Sequence, residues 1–106
     1  MPVIGSLRRT VAHDAAVTID TTVRRLAIGN VRGTAAQSMA EEALITSNTV
    51  TMRWRDDGTD PTSTAGHRAF ANTIIHLINR NRIDAFRYVR DSTATANGTL
   101  EASFLA

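Results

Sequence analysis

Between Asn48 and Gly58 the side chains alternate in kind. Val50, Met52 and Trp54 fall on one side of an extended chain and Thr49, Thr51, Arg53 and Arg55 on the other, until Asp56-Asp57-Gly58-Thr59-Asp60-Pro61 breaks the pattern. A period of two belongs to a β-strand with one face in water, and acidic residues followed by Gly and Pro are turn chemistry. A half-buried strand is not stable alone, because its apolar face needs a second layer to cover it. This segment therefore commits the chain to packed sheets.

Other segments agree with it. Val17-Thr18-Ile19, Ile45-Thr46 and Val50-Thr51-Met52 set β-branched residues beside threonine, which suits strands with one wet face. Leu7 to Val11, Val17 to Ile19 and Val23 to Ile28 predict two or three short strands early in the chain. Arg68 to Asn79 fits two patterns: Phe70, Ile74, Leu77 and Ile78 could share a helical face, whereas Ile74-Ile75-His76-Leu77-Ile78 fits a short buried strand. The β-branched pair and the flanking turn residues favour the strand. In Ala85 to Arg90, Ala85, Arg87 and Val89 alternate with Phe86, Tyr88 and Arg90, predicting a strand covered on both sides. A polar loop from Asp91 to Gly98 then leads to Leu100, Ala102 and Phe104, which alternate with polar neighbours, and the two strands read as a hairpin with a long loop. Gly33 to Glu42 reads as loop with one helical turn. The expected fold is all-β, a small antiparallel sandwich or jelly-roll-like barrel of about six to eight short strands.

A chain of 106 residues supports one domain with one modest core. We take residues 1–106 as that domain, with residues 1–12 expected as an extended arm. Only 5% of residues are aromatic, so Trp54, Phe70, Phe86, Tyr88 and Phe104 are the large pieces of a core otherwise built from Val, Ile, Leu and Ala. There is no cysteine, which removes disulfides and any thiolate metal or redox site. Association is the remaining route by which so thin a core gains stability. No apolar run approaches the roughly 20 residues that span a membrane, and the first residues do not read as a secretory signal, so a soluble, unprocessed protein is expected.

All twelve basic residues are arginine, a side chain that forks to carboxylates and carbonyls and stays charged when partly buried. The net charge is only +2, and the pI near 10.4 reflects arginine as the sole strong base, so no nucleic-acid signature follows. Arg53 and Arg55 must share a strand face. With Arg87 and Arg90 they are the residues expected to reach a neighbouring subunit, while Trp54 and Phe86 are expected in the core.

Signals for chemistry are weak. His13, His67 and His76 lack the spacing of metal ligands, no serine lies in a Gly-x-Ser-x-Gly setting, and Asp56, Asp57 and Asp60 miss the register of a calcium loop. Those aspartates read as turn formers. Neither a cofactor, a metal nor catalysis is expected.

Three runs carry a resemblance: Ala43-Leu44-Ile45-Thr46, then Val50-Thr51-Met52-Arg53-Trp54-Arg55-Asp56-Asp57-Gly58-Thr59-Asp60-Pro61-Thr62-Ser63-Thr64-Ala65-Gly66-His67, then Ile83-Asp84-Ala85-Phe86-Arg87-Tyr88-Val89-Arg90. Over roughly the C-terminal 65 residues the chain resembles small proteins encoded among the structural genes of tailed phages and prophages. Those proteins pair an aromatic-Arg strand and an Asp-Gly-Thr-x-Pro-Thr turn with a later Phe-Arg-aromatic-Val/Ile-Arg strand. His67 to Asn79 departs from their Gly-rich approach to the next strand. The resemblance implies a non-enzymatic bacteriophage virion protein, foremost a capsid cement or decoration protein. It would be made in the bacterial host cytoplasm, would sit on the capsid surface, and would bind the major capsid protein as a homo-oligomer such as a trimer. Two other readings stand beside it. One is a neck, tail or fibre-attachment component, and the other is a carbohydrate- or cell-surface-binding module using Trp54 and Tyr88 as platforms.

Overall fold

A computed structural model of the chain describes residues 10–27, 31 and 40–106. Among the described residues eight strands run in order: β1 (Thr10–Ile19), β2 (Arg24–Arg25), β3 (Glu42–Ser47), β4 (Met52–Arg55), β5 (His67–Ala69), β6 (Ile74–Ile78), β7 (Arg87–Arg90) and β8 (Gly98–Leu105). One short helix, α1 (Arg80–Ala85), joins β6 to β7. The strands form two four-stranded sheets, A in the order β1-β8-β3-β6 and B in the order β2-β7-β4-β5. Every pairing is antiparallel. The result is the all-β sandwich that the alternating patterns require.

The pairings are nested. β4 pairs with β5, β3 with β6, β2 with β7 and β1 with β8. The chain is one long hairpin, closed at the Asp56–Gly66 turn and rolled so that β3 also meets β8 and β4 meets β7. This is the strand order of a jelly roll.

The core lies between the sheets. From sheet A it takes Ala43, Ile45, Ile75, Leu77, Leu100, Ala102 and Phe104, and from sheet B Met52, Ala69 and Tyr88. Register matches large residues to small ones: Ala43 lies between Phe104 and Leu77, and Ala102 lies opposite Ile45. Alternating sizes in this way fills a layer without voids. Phe86, 0% exposed, caps the C-terminus of α1 and stacks 5.5 Å from Trp54, which is partly buried against the core. Burying a side chain of this size contributes about 1.5–3 kcal/mol.

Several sequence expectations are corrected. Thr10, Val11 and Val17–Ile19, expected in two early strands, belong to one strand, β1, whose register shifts between Asp14 and Val17, so Ala15 and Ala16 sit in an irregularity of that strand. Thr10 to Ala12 pair with Leu105 and Phe104 and belong to the sheet, not to an arm; residues 1–9 lie outside the described residues. Most of Gly33 to Glu42 also lies outside them, and Glu42 opens β3. β7 and β8 are not a hairpin, because they lie in different sheets. Ala85 ends α1 rather than beginning a strand. Asn79, at φ 97, starts that helix by accepting the Asn81 N–H (2.7 Å), and Ile83 anchors it in the core. Phe70 is 58% exposed rather than core.

Two glycines are demanded by close approach. A Cβ on Gly98 would come within 2.5 Å of Thr49 Oγ1 and Val50 Cγ2, where β8 passes the β3–β4 turn. Gly66 has φ +118, and its Cβ would lie 3.1 Å from Pro61 Cβ and the Trp54 carbonyl oxygen. No helix among the described residues is long and apolar enough to cross a membrane.

Tyr88 is 0% exposed, burial pushes its phenol up to about 12, and its hydroxyl has no hydrogen-bond partner among the described residues. A buried, unpaired hydroxyl costs stability, whereas an apolar isostere does not. Tyr88→Phe is therefore expected to raise the stability by about 1 kcal/mol, seen as a higher urea midpoint at unchanged slope. A lower midpoint would show that the hydroxyl is bonded in solution.

Candidate functional site

The four singled-out arginines lie on sheet B, Arg53, Arg55 and Arg87 on its outer face and Arg90, opposite Met52, at the end of the other, and each has a partner within the chain. Arg53 is only 19% exposed; its Nε donates to Asp91 Oδ1 at 2.6 Å and its Nη1 to the Gly66 carbonyl at 3.0 Å. Arg87, 17% exposed, donates from Nη1 to the carbonyls of Asp84 (3.1 Å) and Phe86 (3.3 Å), with Nε 3.9 Å from Asp60 Oδ1. Arg55 forks to Asp57, Nη2 to Oδ2 at 2.5 Å and Nε to Oδ1 at 3.1 Å. Arg90 Nη1 donates to Asn97 Oδ1 at 2.8 Å. Arg53 and Arg87 thus act chiefly inside the subunit. Arg55 is 39% exposed and, like Arg90, is held by a single surface side chain. It pairs with Arg87 across β4 and β7, so those two share a face as β-pleating requires.

The centre of this region is Asp91, which sequence reasoning placed only in a polar loop. It is 1% exposed and leads out of β7. Besides Arg53, its carboxylate accepts the Thr93 N–H (2.9 Å) and hydroxyl, and lies 3.6 Å from Arg68 Nε. Its own N–H donates to the Thr51 carbonyl at 3.1 Å. One side chain thereby ties β4, β5 and the β7–β8 crossover together. Burial pushes this carboxyl up, but the Thr93 donors, Arg53 and Arg68 outweigh burial and hold it down at about 2. The signal in sequence was a lone Asp following an Arg-rich strand, with no local partner to reveal that Arg53 would reach it.

The Asp56–Gly66 connection folds back over the outer face of sheet B. Pro61 is fully buried, Ser63 O accepts the Ser92 N–H at 2.9 Å, and Val89 is 4% exposed; the expectation that β7 is covered on both faces describes this. The turn aspartates face arginines: Asp57 holds Arg55 and accepts the Thr59 N–H (3.1 Å), Asp60 approaches Arg87, and Asp56 Oδ2 is 4.0 Å from Arg82 Nε. Hydrogen bonds from Arg55 and the Thr59 amide hold the Asp57 carboxyl down at about 2. Among the described residues no group of three or more His, Asp or Glu side chains is gathered as for a metal ion. His67 stacks on Trp54 at 4.7 Å.

The outer face of sheet A is different in kind. Cross-strand partners share a face, so the register sets His13, Ser103, Leu44 and His76 in one row, Thr46 beside Ile74 in a second, and Leu105, Glu42 and Ile78 in a third. Leu44, Ile74 and Ile78 are 40%, 67% and 60% exposed. Each outward histidine meets a glutamate: His76 Nε2 lies 2.7 Å from Glu42 Oε1, and His13 Nε2 3.3 Å from Glu101 Oε2. Sequence reasoning treated Ile74 to Ile78 as fully buried. In fact only Ile75 and Leu77 face the core, because side chains alternate along the strand and no described layer covers the outer face of sheet A. Three aliphatic side chains thus stand exposed on this face, whereas the arginine pairs of sheet B are largely satisfied.

The Asp91 carboxyl carries a pH dependence. Its folded value lies below the ordinary aspartate value of 3.8, so its contribution is complete above about pH 4 and is lost as pH falls toward about 2. Asp20 and Asp57 are shifted the same way but sit at the surface, where screening reduces their effect. The unfolding midpoint is expected to drop between about pH 4 and 2, and Asp91→Asn to lower stability at neutral pH while flattening that drop. An unchanged acid profile in Asp91→Asn contradicts the assignment.

No protein-family model, curated protein or solved structure matches the chain.

Proposed function

We propose that this chain is a non-enzymatic virion structural subunit, a capsid cement or decoration protein that associates with copies of itself and with the major capsid protein of a tailed phage. The observation that carries the reading is the division of its surface. Described polar groups are spent largely on each other in arginine–carboxylate pairs, while the outer face of sheet A leaves aliphatic side chains uncovered. Such a surface suits contact rather than chemistry. The resemblance carried by Ala43 to Arg90 supports the virion setting, and the jelly-roll strand order is one that viral capsid domains use, although lectins and cupins use it as well. A thin-cored sandwich gains stability by binding a lattice, and many modest contacts add through avidity.

Of the four arginines, Arg55 and Arg90 are the ones this reading assigns to a partner, because Arg53 and Arg87 hold the subunit together. A neck, tail or fibre-attachment component is the second reading, distinguished by copy number. The carbohydrate-module reading loses one of its two platforms, since Tyr88 is 0% exposed.

Two measurements test the proposal. Quantitative mass spectrometry of virions is expected to find the chain at hundreds of copies per particle; about a dozen or fewer would place it at the neck or tail instead. Arg55→Ala with Arg90→Ala is expected to leave a folded protein that no longer occupies capsids, and full occupancy would overturn the assignment of these arginines.

A further inference from the structure

β6 is the last strand of sheet A. β3 takes one of its edges, and among the described residues no strand takes the other. The register fixes which main-chain groups face outward. Glu42 pairs with Ile78, and the next pair along, Glu41 with Asn79, is hydrogen-bonded, Asn79 N–H to Glu41 O at 2.8 Å. Bonded and non-bonded pairs alternate in an antiparallel ladder. Ile75 and Leu77 therefore direct their N–H and C=O groups at β3, and Ile74, His76 and Ile78 direct theirs away from it. After Asn79 the chain enters α1, whose Arg80 Nη1 bonds Glu41 Oε2, beside β3, at 2.6 Å.

An open edge is a template for another strand, and proteins that keep such an edge single usually blunt it with Lys or Pro. This one carries neither. Its sequence, Ile-Ile-His-Leu-Ile, reads nearly the same from both ends. A second copy laid antiparallel about an axis at His76 would set Ile74 opposite Ile78 and Ile75 opposite Leu77. The central His76 would meet its own counterpart. All three outward-facing residues would then fall in hydrogen-bonded pairs, and the exposed Ile74 and Ile78 would cover each other on the outer face. The two imidazoles at the axis do not meet unscreened, because each already lies against the Glu42 carboxylate of its own chain.

We propose that the chain forms a two-fold homodimer by antiparallel pairing of β6 with β6 about His76, joining two four-stranded sheets into one of eight. The pairing stands apart from any partner contact made through Arg55 and Arg90, which lie on sheet B. Failure of the pairing would remove this mode of self-association and leave the Arg55 and Arg90 contact with a partner intact.

Sedimentation velocity over a concentration series tests it. The unaltered protein is expected to show a monomer–dimer equilibrium. Ile74→Lys, at an exposed site that should not disturb folding, is expected to raise the dimer dissociation constant about tenfold or more. Register is tested by cysteine, which the chain otherwise lacks. At the axis the two Cα atoms would lie about 5.5 Å apart, within disulfide reach. Oxidised His76→Cys is expected to run as a covalent dimer and Leu44→Cys, off the axis on β3, as a monomer. A monomer at every concentration, a dimer indifferent to Ile74→Lys, or equal cross-linking at positions 44 and 76 would overturn the pairing.

Discussion

The Asp91 carboxylate is the group on which the rest of this sandwich leans. A charge 1% exposed is tolerable only if it is paired and hydrogen-bonded, and removing one partner of such a pair typically costs about 3–5 kcal/mol. Asp91 meets that requirement with Arg53, Arg68 and both donors of Thr93. Arg53 in turn reaches the Gly66 carbonyl, whose residue can be nothing but glycine without meeting Pro61 and the Trp54 backbone. The turn that closes the rolled hairpin, its two flanking strands and the crossover from sheet B to sheet A are thereby held at one point.

That arrangement accounts for the difference between the two outer faces. Sheet B is overlaid by its own Asp56–Gly66 connection and stitched with arginine–carboxylate pairs, so most of its charges are balanced within the subunit. Sheet A carries no such overlay among the described residues, and Leu44, Ile74 and Ile78 stand in water. With few aromatics and no disulfide, the molecule has little internal reserve of stability. The proposed assembly would serve the fold as well as the proposed function, and the proposed contact surface lies where the chain leaves apolar side chains uncovered.

Much of the architecture was legible in the sequence because it rests on local periodicity. Met52 and Trp54 alternating with Arg53 and Arg55 gave the strand, Leu100, Ala102 and Phe104 another, and the run around Asp57 the turn. What could not be read was set by partners distant in sequence. Sequence neighbourhood suggested that Ala85–Arg90 and Thr99–Phe104 form a hairpin, but β7 and β8 separate because β8 is claimed by β1 and β3. Six residues of helix at Arg80 escaped notice since only Ile83 anchors them. Ile74 to Ile78 looked buried because hydrophobicity does not reveal which face of a sheet a second layer will cover. The arginine pattern pointed to pairing with a neighbouring subunit and gave no sign that Arg53 and Arg87 would find a carboxylate and carbonyls within the chain.

A double-mutant cycle on Arg53 and Asp91 tests the central claim most directly. Arg53→Ala and Asp91→Ala should each destabilise the protein by about 3 kcal/mol. If the two side chains act as one clasp, the double variant should cost little more than either single change, a coupling of at least about 2 kcal/mol. Strictly additive losses would mean that the pair does not hold the sandwich together.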